Sequence, residues 1–121
     1  MSAPLLKRLV DAIDDPRVGV IVDAYHVWWD PQLEAQIARA GRLGRLLAYH
    51  ICDWLVPTED LLLDRGMMGD GIIELPAIRA LVEGAGYDGL VEVEIFSDQN
   101  WWKRPIAETC RVMKERLFTR V

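Results

Sequence analysis

Three short apolar runs, two finishing in an acidic or imidazole side chain and the third carrying Glu94 near its carboxyl end, constrain this chain more than anything else in it. Val18 to Asp23 reads VGVIVD, Arg45 to His50 reads RLLAYH and Gly89 to Phe96 reads GLVEVEIF. Short continuous runs rich in β-branched and aliphatic residues are the pattern of parallel strands covered on both faces. A charge at the end of such a run costs free energy unless it is paired, hydrogen-bonded or bound to a cation. In α/β sheets the ligand site lies outside the carboxyl ends of the strands. Asp23, with His26 three residues on, is therefore expected on a rim, and parallel strands would bring His50 and Glu94 to the same rim.

Helical patterns fill the intervals. Leu5, Leu6, Leu9, Val10 and Ile13 repeat at helical spacing before the stop at Asp14-Asp15-Pro16. Asp30-Pro31 suits an N-cap followed by proline at the first helical position, with Leu33, Ile37 and Ala40 as the buried stripe and Gly41 and Gly44 as the end. Leu75, Ile78, Leu81 and Val82 form another helix closed by Gly84 and Gly86, and a last helix from about Pro105 places Ile106, Cys110, Met113 and Leu117 on one side. The segment from Trp54 to Gly71 loses periodicity and reads as a long rim loop, a kind of segment that commonly carries function.

Helix and strand thus alternate from helix to helix, which predicts parallel βα units with right-handed crossovers. Three strands are too few for a closed barrel, which takes eight units and typically about 250 residues. The expectation is a single α/β domain over residues 1–121, either a small open layer or part of a larger fold. With 51% hydrophobic residues the chain has material for a core. A net charge of −5 without any basic stripe disfavours a general nucleic-acid binder. Cys52 and Cys110 lie far apart and suggest neither a disulfide framework nor a zinc ribbon, so reduced thiols and a cytoplasmic location are expected. No stretch suggests a signal peptide or a membrane-spanning helix.

An Asp/His/Glu set of oxygen and nitrogen donors suits Mn²⁺, Zn²⁺, Fe²⁺ or Mg²⁺. Taken singly, a strand-end Asp is more often a cap or loop anchor and a lone His more often structural; three in register are harder to account for that way. Glu92 and Glu94 share a face under period-2 alternation, and Glu94 lies nearer the rim. The segments VDAYHVWW, LLAYHICD, DRGMMGDGIIEL and GYDGLVEVEIFSDQNWW resemble the last three strand-plus-loop units of the sugar phosphate isomerase/epimerase family, within the xylose isomerase-like TIM barrel superfamily. The resemblance covers nearly the whole chain and implies a partial TIM barrel of three parallel βα units.

It further implies that Asp23, His50 and Glu94 are metal ligands, that His26 and Arg65 contact substrate oxygens, and that Glu94 is one of two glutamates exchanging a proton through an enediolate. The substrate class implied is a small sugar or sugar phosphate. Read from the residues alone, His26 also suits a helix cap, Arg65 a partner for Asp60 or Asp64, and Gly69-Asp70-Gly71 a turn that positions its loop. Trp28, Trp29, Trp101 and Trp102 suit either walls around a sugar ring or packing of loops on the barrel end. The family's fourth ligand, a Glu on a preceding strand, has no counterpart in this sequence. A truncated enzyme, weakly active or inactive alone, is therefore expected, with self-association or a companion chain covering the open sheet. The alternative is a half-barrel interaction module without a working metal site. An apurinic-site endonuclease shares the superfamily, but the pI near 5.0 and two histidines argue against it.

Overall fold

The computed structural model describes residues 3–121, with side chains from residue 8 onward. Helix α1 (Ala3–Ile13) leads into β1 (Val20–Asp23), a short α2 (Ala24–Val27) and α3 (Leu33–Arg42). Then come β2 (Leu46–Ile51), the two-residue strands β3 (Asp53–Trp54) and β4 (Arg65–Gly66), α4 (Leu75–Gly84), β5 (Val91–Val93), a 3₁₀ turn over Trp101–Lys103 and α5 (Ile106–Thr119).

β1, β2 and β5 form a parallel sheet in the order β1-β2-β5, so the expected α/β class with three parallel βα units is what the chain adopts, as an open sheet. Ile21 pairs with Ala48, Asp23 with His50, and His50 in turn with Glu92. The other face of the strands carries Val22, Tyr49 and Ile51. These bury against Leu33 and Ile37 of α3, Leu75, Ile78 and Val82 of α4, and Met67, Met68 and Ile73 from the loop between β4 and α4. No helix among the described residues is long and apolar enough to cross a membrane.

Several local expectations shift. β1 and β5 are shorter than their apolar runs, β2 is shifted one residue onward from its run, and α3 begins two residues after Pro31. Asp30 still closes its entry turn, its Oδ1 accepting from the Gln32 N–H at 2.8 Å. The rim loop contains a β3–β4 ribbon with Asp53 opposite Gly66. The side chains of Leu5 and Leu6 lie outside the described residues; of the rest of that stripe Val10 is buried, while Leu9 and Ile13 remain half-exposed.

The last helix differs most. Ile106 is 80% exposed and Cys110 is also exposed, and the inner stripe consists of Val112, Met113 and Leu117. A stripe starting at Ile106 satisfies the helical period equally well, but the loop that α5 covers is reached one residue further round. Arg116 fixes that rotation: it donates to the Met68 carbonyl at 3.1 Å and pairs with Asp70 at 3.1 Å.

Candidate metal and substrate site

The end of β1 supplies the first donor. Asp23 caps α2, its Oδ1 accepting from the Tyr25 N–H at 3.0 Å, which leaves Oδ2 turned to the rim. Burial pushes the Asp23 carboxyl above its ordinary range, against the opposing pull of His26, the Tyr25 N–H and Arg65. A desolvated carboxylate of this kind is stabilised by a cation.

His50, the register partner of Asp23, provides the second donor. Its Nδ1 lies 3.8 Å from Glu94 Oε2 and its Nε2 lies 3.3 Å from Glu92 Oε2. Glu94 sits one residue past β5, where its N–H still donates to the Ile51 carbonyl at 3.0 Å and keeps the segment extended. Asp23, His50 and Glu94 each bring one ligand atom into a group whose members all lie within 4.8 Å of one another. Two carboxylate oxygens and one imidazole nitrogen at this spacing fit a hard or borderline divalent cation.

Arg65 occupies the centre. Only 3% of its side chain is exposed, and its guanidinium lies between the Tyr25 and Phe96 rings, 4.5 and 4.6 Å from their centroids. Nη1 donates to Glu94 Oε2 at 3.0 Å and lies 3.8 Å from Asp23 Oδ2, and Nη2 lies 3.4 Å from His26 Nε2. Its partners are therefore not Asp60, which accepts from the Leu62 and Leu63 N–H groups, nor Asp64, which accepts from the Glu59 N–H. His26 stands on α2 with its Nε2 3.8 Å from Asp23 Oδ2 and its side chain half open to solvent. Among the described residues no side chain caps α3, whose N-cap is Gln32; His26 makes no such contact, and Asp30 closes the turn before the helix.

Asp53 holds the rim together. Fully buried, it accepts from the N–H groups of Trp54 at 2.8 Å, Gly69 at 2.8 Å and Ile73 at 3.0 Å. These bonds fold the segment after Arg65 back over the end of β2. Gly71 passes so close that a Cβ there would overlap the Trp54 carbonyl and Asp53 Oδ1, and Gly69 has φ +89°, so the Gly69-Asp70-Gly71 turn positions its loop.

The aromatic residues divide. Trp28 packs on Trp54, which stacks on Tyr25 at 4.8 Å, and Trp101 is buried beneath Arg104. Trp102 packs on Phe96 and donates its indole N–H to the Ile95 carbonyl at 2.9 Å, whereas Trp29 is half-exposed. Sequence reasoning overlooked Tyr25 and Phe96 as the rings that clamp Arg65. The available signal was their adjacency to the motif residues, Tyr25 in DAYH and Phe96 in EIF.

The sequence pattern of the xylose isomerase-like TIM barrel family matches residues 2–116. The chain is 53% identical to the protein SMc04130 from Sinorhizobium meliloti 1021, onto whose crystal structure it superposes with a TM-score of 0.95, covering 98% of this chain and 43% of that one. It is similar in fold to the crystal structure of the IolI protein with a zinc atom bound, at a TM-score of 0.75 and 22% identity over 91% of this chain and 40% of that one. The "Probable endonuclease 4" of Mesomycoplasma hyopneumoniae (strain J) is 28% identical over 82 residues, which is 62% of this chain and 30% of that protein. The chain thus spans less than half the length of each of these proteins.

Proposed function

Because the chain belongs to the xylose isomerase-like TIM barrel family, we propose that it carries the metal-holding rim of a divalent-cation-dependent isomerase or epimerase acting on a sugar or sugar phosphate. The observation that supports this reading is the convergence of Asp23, His50 and Glu94 within 4.8 Å at the carboxyl ends of parallel strands. The zinc atom in the IolI structure is consistent with it. Mn²⁺, Zn²⁺, Fe²⁺ and Mg²⁺ all suit the donor set.

When bound, a divalent cation supplies Lewis-acid polarisation of substrate oxygens. Glu94 moves the proton at the adjacent substrate carbon, a role suited to a carboxylate held at a rim. Arg65 binds a substrate oxygen through its guanidinium, which the two flanking rings keep in one orientation. His26 offers its half-exposed ring to another substrate oxygen. We also propose that a second copy or a companion chain covers the open face of the sheet in the working assembly.

The ion-pair distance of 3.0 Å between Arg65 and Glu94 supports a second reading, in which the carboxylates serve to hold a buried arginine in a non-catalytic half-barrel interaction module. Titration with Mn²⁺ and Zn²⁺ separates the two. One ion per chain, lost in Asp23→Ala and in His50→Ala, is the expected outcome; a wild-type chain that takes up neither ion overturns the metal reading and favours the second.

A further inference from the structure

We propose that Glu92 is the positioning residue of His50, selecting the tautomer in which Nε2 carries the proton and Nδ1 is left as the donor atom. This assignment rests on the reading that Asp23, His50 and Glu94 hold a cation. A neutral imidazole has one N–H and one lone pair, and which nitrogen carries which is set by the partner of the other. A metal-binding histidine almost always gives its second ring N–H to a carboxylate, a carbonyl or water.

The two carboxylates of the E-V-E segment divide around the ring in this way. Glu94 Oε2 lies on the Nδ1 side at 3.8 Å and Glu92 Oε2 on the Nε2 side at 3.3 Å. Register explains the second contact, because His50 and Glu92 are directly paired across β2 and β5 and period-2 alternation turns both side chains to the open face. Glu94 stands on the Nδ1 side, where its Oε2 also accepts from Arg65 at 3.0 Å, and Glu92 is the carboxylate that reaches Nε2. Among the described residues, His50 is the one charged or titratable group in salt-bridge contact with Glu92. With 54% of its side chain exposed, Glu92 contributes little to the core, so its replacement leaves the fold in place.

Zn²⁺ titration calorimetry of the full chain, paired with ¹⁵N spectra of the histidine rings in the ion-free protein, tests the assignment. Glu92→Ala is expected to weaken Zn²⁺ binding by about tenfold to a hundredfold. It is also expected to move the His50 ring signals away from the Nε2–H form. Glu92→Gln, whose amide oxygen still accepts, is expected to restore both in part. Unchanged affinity and unchanged ring signals in Glu92→Ala overturn the assignment, as does a loss of binding as complete as in Glu94→Ala, which would make Glu92 a ligand. No uptake by the wild-type chain removes the cation reading itself, an outcome separate from any behaviour of the Glu92 variants.

Discussion

The two faces of the three-stranded sheet are built from the same strands and do opposite work. One face, with Val22, Tyr49 and Ile51, disappears under α3, α4 and the methionines of the rim loop. The other carries Ile21 and then the row Asp23, His50 and Glu92, all partly or largely accessible. Apolar burial on the first face contributes the stability. That stability allows the end of the second face to hold the desolvated Asp23 carboxylate beside the buried Arg65 guanidinium of β4, groups that cost free energy on their own. Alternation along a strand thus lets one segment serve as core and as site without compromise between the two.

The sharpest way to break this comparison is to replace one residue on each face. Ile51→Ala, at a fully buried position, is expected to cost about 2–5 kcal/mol in urea unfolding. Ile21→Lys on the open face should cost less than about 1 kcal/mol while shifting the chain toward monomer in size-exclusion chromatography. Equal losses from the two would show that both faces are buried in solution.

A smaller effect comes from alkali. Burial pushes the Cys52 thiol up to about 12, and burial likewise raises the Tyr49 hydroxyl. An unfolded cysteine releases its proton near 8.5. Above that pH the unfolded chain has lost a proton that the folded chain keeps, so the stability contributed is full below about 8.5 and declines as pH rises toward 12. By pH 10 the loss should be roughly 1–2 kcal/mol, and Cys52→Ala should flatten the profile. A stability curve unaltered by that substitution would show that the buried Cys52 thiol, beside Asp23 and Arg65, does not set the alkaline decline. The smallest expected change is Tyr49→Phe. Among the described residues the buried hydroxyl has no hydrogen-bond partner, so its removal should be neutral or stabilise the chain by up to about 1 kcal/mol in thermal unfolding. A marked loss would reveal a partner for that oxygen.

Much of the fold was legible because its signals are local. The alternation of runs, the stop at Asp14 and the glycines after α4 depend on residues a few positions apart, and the resemblance of DAYH, AYHICD and VEVEIF marked the rim residues. The rotation of α5 was not legible. The helical period admits stripes beginning at Ile106 or at Thr109, and the choice depends on Arg116 meeting Asp70, across the fold. The pairing of Arg65 was hidden in the same way, since Asp60 and Asp64 were nearer in sequence but already engaged within their own loop.

By itself the sequence determined the α/β class, the order of elements and the residue types gathered at the strand ends, all of which follow from hydrophobic period and from the cost of a charge at the end of a buried run. Tertiary structure alone decided which carboxylate meets which nitrogen. Parallel register sets Glu92 directly beside His50, while the backbone beyond β5 carries Glu94 to Arg65 and Asp23. Period-2 alternation cannot distinguish two glutamates on one face; only the distances between neighbouring strands can.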